Sequence, residues 1–550
     1  MRPALIAVLL SSLAAAQADP LDRPADPVVL SGALTDALRG VPPGEVVAFR
    51  YAAGAWAQVP VQVDERFVVD YAQVYNGVGG DGRGFSALAY ADAGTFTGPD
   101  PDPGLDADDE VVVMAADAGD RAPRGSAPPG LASDPVEVQL ARRDGRRAYV
   151  YLGRQSGGLD PAAGADYVRY RFRLAAGTYR DDYAIARGPN PEDTDVVTDA
   201  YARHFSDRWV SDEMRVGGGP DLLDRFQVFY GERNGTPTCA RTEDTFSGGE
   251  GAFVTNKDGP VRAIRVYVGA NSGPLTERAH VFYARREDVI TTLRVHAIPS
   301  IHDVVDYEPG LGLRYTNNLL AGFLDVDGAP DADVPAGDPA WEAVTGAAGT
   351  VVSTYVTDTT LPGLQTGFYR KDDASATACT GDRRPIGMSG VYATPLPCTD
   401  PTLSVDECQL GYRLVSRRTL QYAPPDLSRD AILALHRAAA EPLAVTASVG
   451  AGGAVSRDAP PAALPFRLSP ASPNPFGRRT EVTLALDRPA HVRSAAYDAR
   501  GRRVATLYDG RASGRVTLRL SGAGLAPGPY WLRTEVDGVS ATTSVVRLER

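Results

Sequence analysis

Apolar and polar residues alternate with a period of two along much of this chain. From Tyr167 to Leu174, the residues Val168, Tyr170, Phe172 and Leu174 fall on one face, and Arg169, Arg171 and Arg173 on the other. That is the pattern of a strand with one wet face. Val136 to Leu152 holds two strand-like runs around Asp144-Gly145, a strong hairpin turn signal. Val261 to Val268 and Asp288 to Ile298 continue the style, with β-branched and aromatic residues between turns. Helical periodicity is sparse. Its clearest instance, Asp426 to Ala440, has Asp426 or Ser428 as N-cap, Ile432, Leu433 and Leu435 at helical spacing, and Pro442 just beyond. No repeat of fixed period is visible, which disfavours a propeller or solenoid.

The pattern predicts a mostly β protein built of several antiparallel β-sandwiches. At 550 residues the chain is too long for one ordinary core. A hydrophobic content of 43% with 23% charged residues is that of a globular protein, and 57 glycines with 43 prolines suit many short strands and turns. A Gly/Ala-rich seam at 157–165 suggests an N-terminal β-domain over 19–160 and a larger β-sandwich-like domain over 161–445. A Gly-rich, then Pro/Ala-rich linker follows at 446–465, before a small domain at 466–550. The formal charge of -13 argues against a nucleic-acid backbone as partner. The lysines are Lys257 and Lys371 and the other cations are arginines, so a Schiff-base mechanism has few candidates.

The first 18 residues read as a signal peptide. Arg2 is the positive n-region, Ala4 to Leu13 is apolar apart from two serines, and Ala16-Gln17-Ala18 is a small-x-small cleavage site. The apolar run is shorter than the roughly 20 residues a spanning helix needs, and no later segment is apolar for long enough. The expected mature protein is exported, without a transmembrane helix. In an oxidising compartment, Cys239, Cys379, Cys398 and Cys408 are expected to form two disulfides. Three pairings are open, with Cys398–Cys408 and Cys239–Cys379 preferred.

The last 85 residues carry ordered signals. They are Leu468-Ser-Pro-Ala-Ser-Pro-Asn-Pro-Phe476, then Tyr497 to Leu507 with a turn at Asp498-Ala-Arg-Gly501, then Leu525-Ala-Pro-Gly-Pro-Tyr530, and a final basic-apolar strand at 541–548. Pro473 and Pro475 stiffen the entry, and Gly501 is free to take positive φ. The strand count predicts a small antiparallel sandwich. This region resembles the C-terminal sorting domain of type IX secretion cargo. The resemblance rests on Pro473, Asn474, Pro475, Phe476, Gly501, Arg502, Gly528 and Tyr530, with Gly477 standing where the family often has Asn. It implies recognition by the type IX secretion machinery and outer-membrane translocon, and an extracellular or surface-attached product.

The body carries no decisive catalytic motif. Nucleophile elbows, phosphate loops, dinucleotide fingerprints and haem attachment sites are missing from the sequence. Two acidic turns, Asp100 to Glu110 and the set Asp325, Asp327, Asp331 and Asp333, place alternate carboxylates where they can converge on Ca²⁺. His296, His302, Asp303, Asp306 and Glu308 follow a strand and supply candidates for a general base or a metal. Pro299 forbids a helix across them. Gly259-Pro-Val-Arg-Ala263 resembles a strand opening in β-sandwich domains of carbohydrate-active proteins, with Lys257, Arg262 and Arg265 as candidate cations for acidic sugars. Val59-Pro-Val-Gln-Val-Asp-Glu65 resembles a strand-and-turn motif of exported N-terminal β-domains. Two readings of the body follow. One is a surface binding or structural module, with an extracellular glycan as its candidate partner. The alternative is a polysaccharide-acting hydrolase or lyase on a β-sandwich scaffold.

Overall fold

The computed structural model describes residues 20–71, 86–95, 97–175, 191–231, 237–248, 251–270, 275–294, 300–331, 333–361, 363–395, 413–449, 466–469, 471–474, 476–498, 503–526, 528–536 and 539–548. The signal-peptide residues, His296, Cys398, Cys408, Pro475, Gly501 and Arg502 lie outside this set. The described residues form a mostly β, antiparallel structure, as the period-two pattern predicts.

The N-terminal part is a sandwich of two sheets. A five-stranded sheet runs in the order Ala444–Val449, Val136–Ala141, Arg147–Arg154, Val46–Ala52 and Ala55–Val59. A three-stranded sheet runs Pro27–Ser31, Glu110–Met114 and Gln62–Asp64. The strand Glu110–Met114 shows why its sequence is apolar throughout. Val111 and Val113 face the N-terminal core with Val46, Val138 and Leu152. Val112 and Met114 face the other way, into a cluster with Val254, Ile264 and Val266. A strand covered on both faces cannot alternate. This second cluster joins residues on both sides of the Gly/Ala-rich seam into one core.

The larger part is layered on a nine-stranded sheet. Its order is Ala252–Lys257, Ala263–Val268, Thr276–Tyr283, Arg286–Arg294, Arg413–Ala423, Gly349–Thr359, Trp341–Gly346, Arg314–Asn317 and Leu324–Asp325. One face meets a four-stranded sheet over residues 169–216 and a five-stranded sheet. The latter runs Pro237–Thr242, Leu223–Gly231, Ile301–Tyr307, Met388–Thr394 and Gln365–Lys371. Val168 and Tyr170 are buried in this core and Arg169 and Arg171 are exposed, as their alternation requires. Cys239 and Cys379 are joined by a disulfide that closes a separation of 140 residues.

The predicted helix forms at Arg429–Ala440, with the Ser428 hydroxyl accepting from Ala431 N at 3.3 Å. Ile432 anchors it on Trp341, Ala343 and Val352, on the other face of the nine-stranded sheet. The chain beyond it does not pass at once into a linker. Ala444–Val449 is a strand and pairs with Val136–Ala141, with Val445 opposite Leu140.

The C-terminal sheet is built on two long strands, Arg479–Asp498 and Arg503–Ser521, which pair with a register break between Leu486 and Ala490. Phe466–Leu468, Gly528–Val536 and Val539–Arg547 complete it. Val482, Leu484, Leu518 and Leu520 meet Val492, Leu532 and Val545 in one apolar cluster. The Pro-Asn-Pro-Phe entry docks on the last strand. Asn474 Oδ1 accepts from Val546 N at 2.7 Å, Phe476 N donates to Val546 O at 2.8 Å, and the Phe476 side chain is buried in the cluster. Tyr530 donates its hydroxyl to Ala526 O at 2.8 Å, pinning the turn before its own strand.

Candidate functional site

The inner face of the nine-stranded sheet is lined with charge. Strand register places Arg265 opposite His280, His280 opposite Val289, Val289 opposite Arg418, and Arg418 opposite Tyr355. One row away, Phe282 faces Glu287, Glu287 faces Leu420, Leu420 faces Ser353, and Ser353 faces Glu342. All of these lie under the outer sheets. Arg265 makes a two-pronged contact with Glu192 at 2.8 and 2.5 Å, both side chains fully buried. Burial opposes the charge on Arg265, but Glu192 outweighs it and holds the guanidinium ionised. Arg418 meets Glu342 at 3.2 Å, and the hydroxyls of Tyr355 and Tyr315 donate to the same carboxylate at 2.6 and 3.1 Å.

Glu287 is the centre of a second group. Arg203 lies 3.6 Å away, His280 Nδ1 2.8 Å, and the Tyr422 hydroxyl donates at 2.7 Å. Burial pushes Glu287 up, but Arg203, His280 and Tyr422 together bring it down to about 2. Burial pushes His280 down to about 4, against the pull of Glu287. At neutral pH the pair is therefore an anion receiving a hydrogen bond from a neutral imidazole.

The four described candidates, His302, Asp303, Asp306 and Glu308, do not converge. Successive residues of Ile301–Tyr307 point to opposite faces. Asp303 turns to the nine-stranded sheet and pairs with Arg278 at 2.8 Å. His302 turns the other way. It is fully buried, stacked on Phe229 with ring centroids 4.7 Å apart, and lies edge-on to Tyr369. Asp306 is buried too. It accepts from Gln227 Nε2 at 3.0 Å and Ile386 N at 2.9 Å, and burial, with Asp224 and Asp382 nearby, pushes it up to about 8. Glu308 is also pushed up, by burial first and then by Asp224. Between the sheets, Arg278, Asp303, Tyr355, Tyr392 and Ser416 line a small opening of about 40 Å³, room for about one water.

The acidic turns are tied internally. Asp331 pairs with Arg370 at 2.8 Å, Asp325 offers its carbonyl to Arg370 at 3.0 Å, and Asp327 caps Ala329 N at 2.9 Å. Their anchor is Asp372, which accepts from Gly328 N at 2.8 Å and Gly387 N at 2.9 Å. Among the described residues, the acidic groups whose oxygens gather within 4.8 Å are Asp106, Asp108 and Asp109, and Asp193 and Asp195 with His204. Asp325, Asp327, Asp331 and Asp333 are not such a group. In the first group, burial and a hydrogen bond with Asp106 push Asp108 up to about 7. Asp109 is already committed to Arg66 N and Asp106 N, each at 2.8 Å. The donors suit calcium in kind and fall short of its six to eight oxygens in number.

The three cations considered for sugars also face inward. Arg262 is buried between Asp64 at 2.8 Å and Glu110 at 2.6 Å, and Lys257 reaches Asp64 at 3.1 Å. These contacts tie the N-terminal sandwich to the nine-stranded sheet. Glu192, Glu287, Glu342 and Arg418 were not legible as site residues. The available signal was charge at alternate positions in strands whose other residues are aromatic or β-branched, as in Ala263-Ile-Arg-Val-Tyr-Val268.

No family model and no curated protein matches the chain. Solved structures with partial similarity include a heparan sulfate lyase HepC mutant from Pedobacter heparinus, at 8% identity and TM-score 0.26, covering 66% of this chain and 41% of that one. A putative aldose 1-epimerase from Escherichia coli K12 matches at 11% identity and TM-score 0.23, over 46% of this chain and 100% of its own. A heparinase III matches at 7% identity and TM-score 0.22, over 64% of this chain and 42% of its own. The chain thus spans about two fifths of the length of the heparan sulfate lyase and heparinase III structures. Among the described residues, no helix is long and apolar enough to cross a membrane.

Proposed function

We propose that this is an exported surface protein whose body is a pre-organised binding and structural module, with residues 466–550 as its type IX sorting domain. The reading of the body rests on how its charges are spent. The buried pairs Arg265–Glu192, Arg418–Glu342, Arg278–Asp303 and Arg262–Asp64 each face inward. The opening between the sheets has room for about one water. A hydrolase or lyase needs acid and base groups turned toward a cleft that admits a sugar chain. The carboxylates of these four pairs hold arginines instead, and Glu342 also holds Tyr355 and Tyr315. The sorting reading is supported by the docking of Asn474 and Phe476 on the last strand, which makes the entry motif and the terminal strand one structural unit.

The test is subcellular fractionation of the native host carrying the full chain or a chain lacking residues 466–550. The expected outcome is surface or medium localisation for the first and periplasmic retention for the second. Unchanged display of the shortened chain would overturn the sorting assignment.

A further inference from the structure

The outer face of the four-stranded sheet carries a group of side chains that the charged interior does not use. Its strands are Arg169–Arg171, Thr194–Val197, Tyr201–Phe205 and Ser211–Val216. Thr194 and Val196 are buried, so Asp193 and Asp195, at the alternate positions, share the wet face. Asp195 stands opposite His204 in register. The next pairing is irregular. His204 faces Glu213 and Phe205 faces Ser211, which leaves Asp212 as the extra residue of a bulge. The bulge aims Asp212 at the imidazole, and its Oδ1 lies 2.6 Å from His204 Nδ1. Glu213 is taken by Arg215 at 2.8 Å.

On its other side the imidazole meets a second carboxylate. His204 Nε2 lies 3.3 Å from Asp193 Oδ1, and one ligand atom from each of Asp193, Asp195 and His204 falls within 4.8 Å of the others. An imidazole that donates Nδ1–H to Asp212 turns a lone pair toward Asp193, so two acceptors face each other. Either a proton or a metal ion must lie between them. A proton held between charged partners draws nitrogen and oxygen to about 2.7–2.9 Å. Two donors, each about 2.0–2.2 Å from a tetrahedral zinc, stand about 3.4 Å apart. The observed spacing fits the metal. A carboxylate behind Nδ1 is also the group that orients a ligating histidine in zinc sites. Asp193 and Asp195 pair with Arg173 and Arg171, whose side chains are more than half exposed. Exposed pairs of this kind contribute little, and each guanidinium is free to turn into solvent as a metal takes the carboxylate.

We propose that His204, Asp193 and Asp195 bind a divalent cation of the zinc class, with Asp212 as the positioning residue. One imidazole nitrogen with two carboxylates suits zinc and its first-row neighbours, whereas calcium takes oxygen ligands. Three protein donors leave a fourth position facing solvent, where a water completes the shell. The site lies on the opposite face of its sheet from the buried ion pairs, so it goes beyond the binding reading of the body without resting on it.

Calorimetric titration of the purified, chelator-treated full chain with zinc chloride tests this, with calcium chloride as competitor. Zinc should bind saturably, and an equal concentration of calcium should not displace it. His204→Ala should weaken zinc about hundredfold, and Asp212→Ala about tenfold. Asp193→Asn keeps the shape of its side chain, so it keeps the test open if His204→Ala does not fold, and it should weaken zinc about tenfold or more. Three results would overturn the site: no saturable uptake of zinc, displacement of zinc by equal calcium, or unchanged zinc affinity in both His204→Ala and Asp193→Asn. Unchanged affinity in Asp212→Ala would overturn its positioning role. A failure of export leaves these readouts untouched, because they are taken on purified protein.

Discussion

The interior of the body and the interior of the C-terminal sheet solve the same packing problem with opposite chemistry. Around the nine-stranded sheet, fully buried Arg265, Arg203 and Arg418 interleave with Glu192, Glu287 and Glu342. In the C-terminal sheet the cluster is Val, Leu, Ala, Phe and Tyr. Apolar packing tolerates exchange of one shape for another. A buried ion pair does not tolerate the loss of one partner, because the survivor is left charged in a medium that cannot solvate it. The body is therefore specified more narrowly than its C-terminal companion.

The largest expected effect breaks this comparison at its strongest pair. Arg265→Met should destabilise the body by about 3–5 kcal/mol, because Glu192 is left buried and unpaired. Adding Glu192→Leu should recover most of that loss. Denaturant unfolding of the two variants reads both numbers, and an equal loss in both would make the pair's charge irrelevant. Phe476→Ala should cost about 3–5 kcal/mol by cavity formation. It should lower only the transition of the C-terminal sheet, leaving the body's midpoint in place by calorimetry. Reduction of Cys239–Cys379 should cost the body about 2–4 kcal/mol, since the bond restrains a long loop of the unfolded chain. The C-terminal transition should not respond.

The effects of pH are spread over several units, and they run in opposite directions within the body. Glu287 is held at about 2, below its ordinary value near 4.5. Its contribution is present above pH 4.5 and is lost as pH falls toward 2. His280 is held at about 4, below 6.5. The unfolded chain takes up that proton first, so stability falls as pH drops from 6.5 to 4. Asp306 is raised to about 8 from 3.8. The folded state keeps its proton, so this contribution is complete below pH 3.8 and is lost as pH rises toward 8. Asp306→Asn should remove the decline between pH 3.8 and 8, and so steepen the rise through pH 4 to 6.5 that His280 sets, while leaving the limb below pH 3.8 unchanged, as read from melting temperature against pH.

Much of the fold was legible. Alternation in Tyr167 to Leu174 gave the buried Val168 and Tyr170, and Asp144-Gly145 marked a real hairpin. The helix is where its cap and spacing predict, with Ser428 as N-cap. What escaped has a common cause. A strand with a wet polar face and a strand with a charged, covered face share the same period, so Arg262 and Arg265 stand as candidate cations for acidic sugars until the layers that cover them are in place. His302 and Asp303 looked like partners because they are adjacent, and strand geometry sends adjacent residues apart. Arg265 and Glu192 are far apart in sequence, and no local pattern brings them together. The pairing of Ala444–Val449 with Val136–Ala141 is of the same kind.

That pairing sets an order of events. The N-terminal sheet takes its outermost strand from residues 444–449, some three hundred positions after the strand it covers. A chain emerging from its N-terminus can assemble everything else in that sheet and still leave Val136–Ala141 as an open edge, able to pair with other chains. Completion waits until Val449 has been delivered. The body is in this sense latched from its far end, and any product that stops short of the latch exposes the edge that the last strand exists to cover.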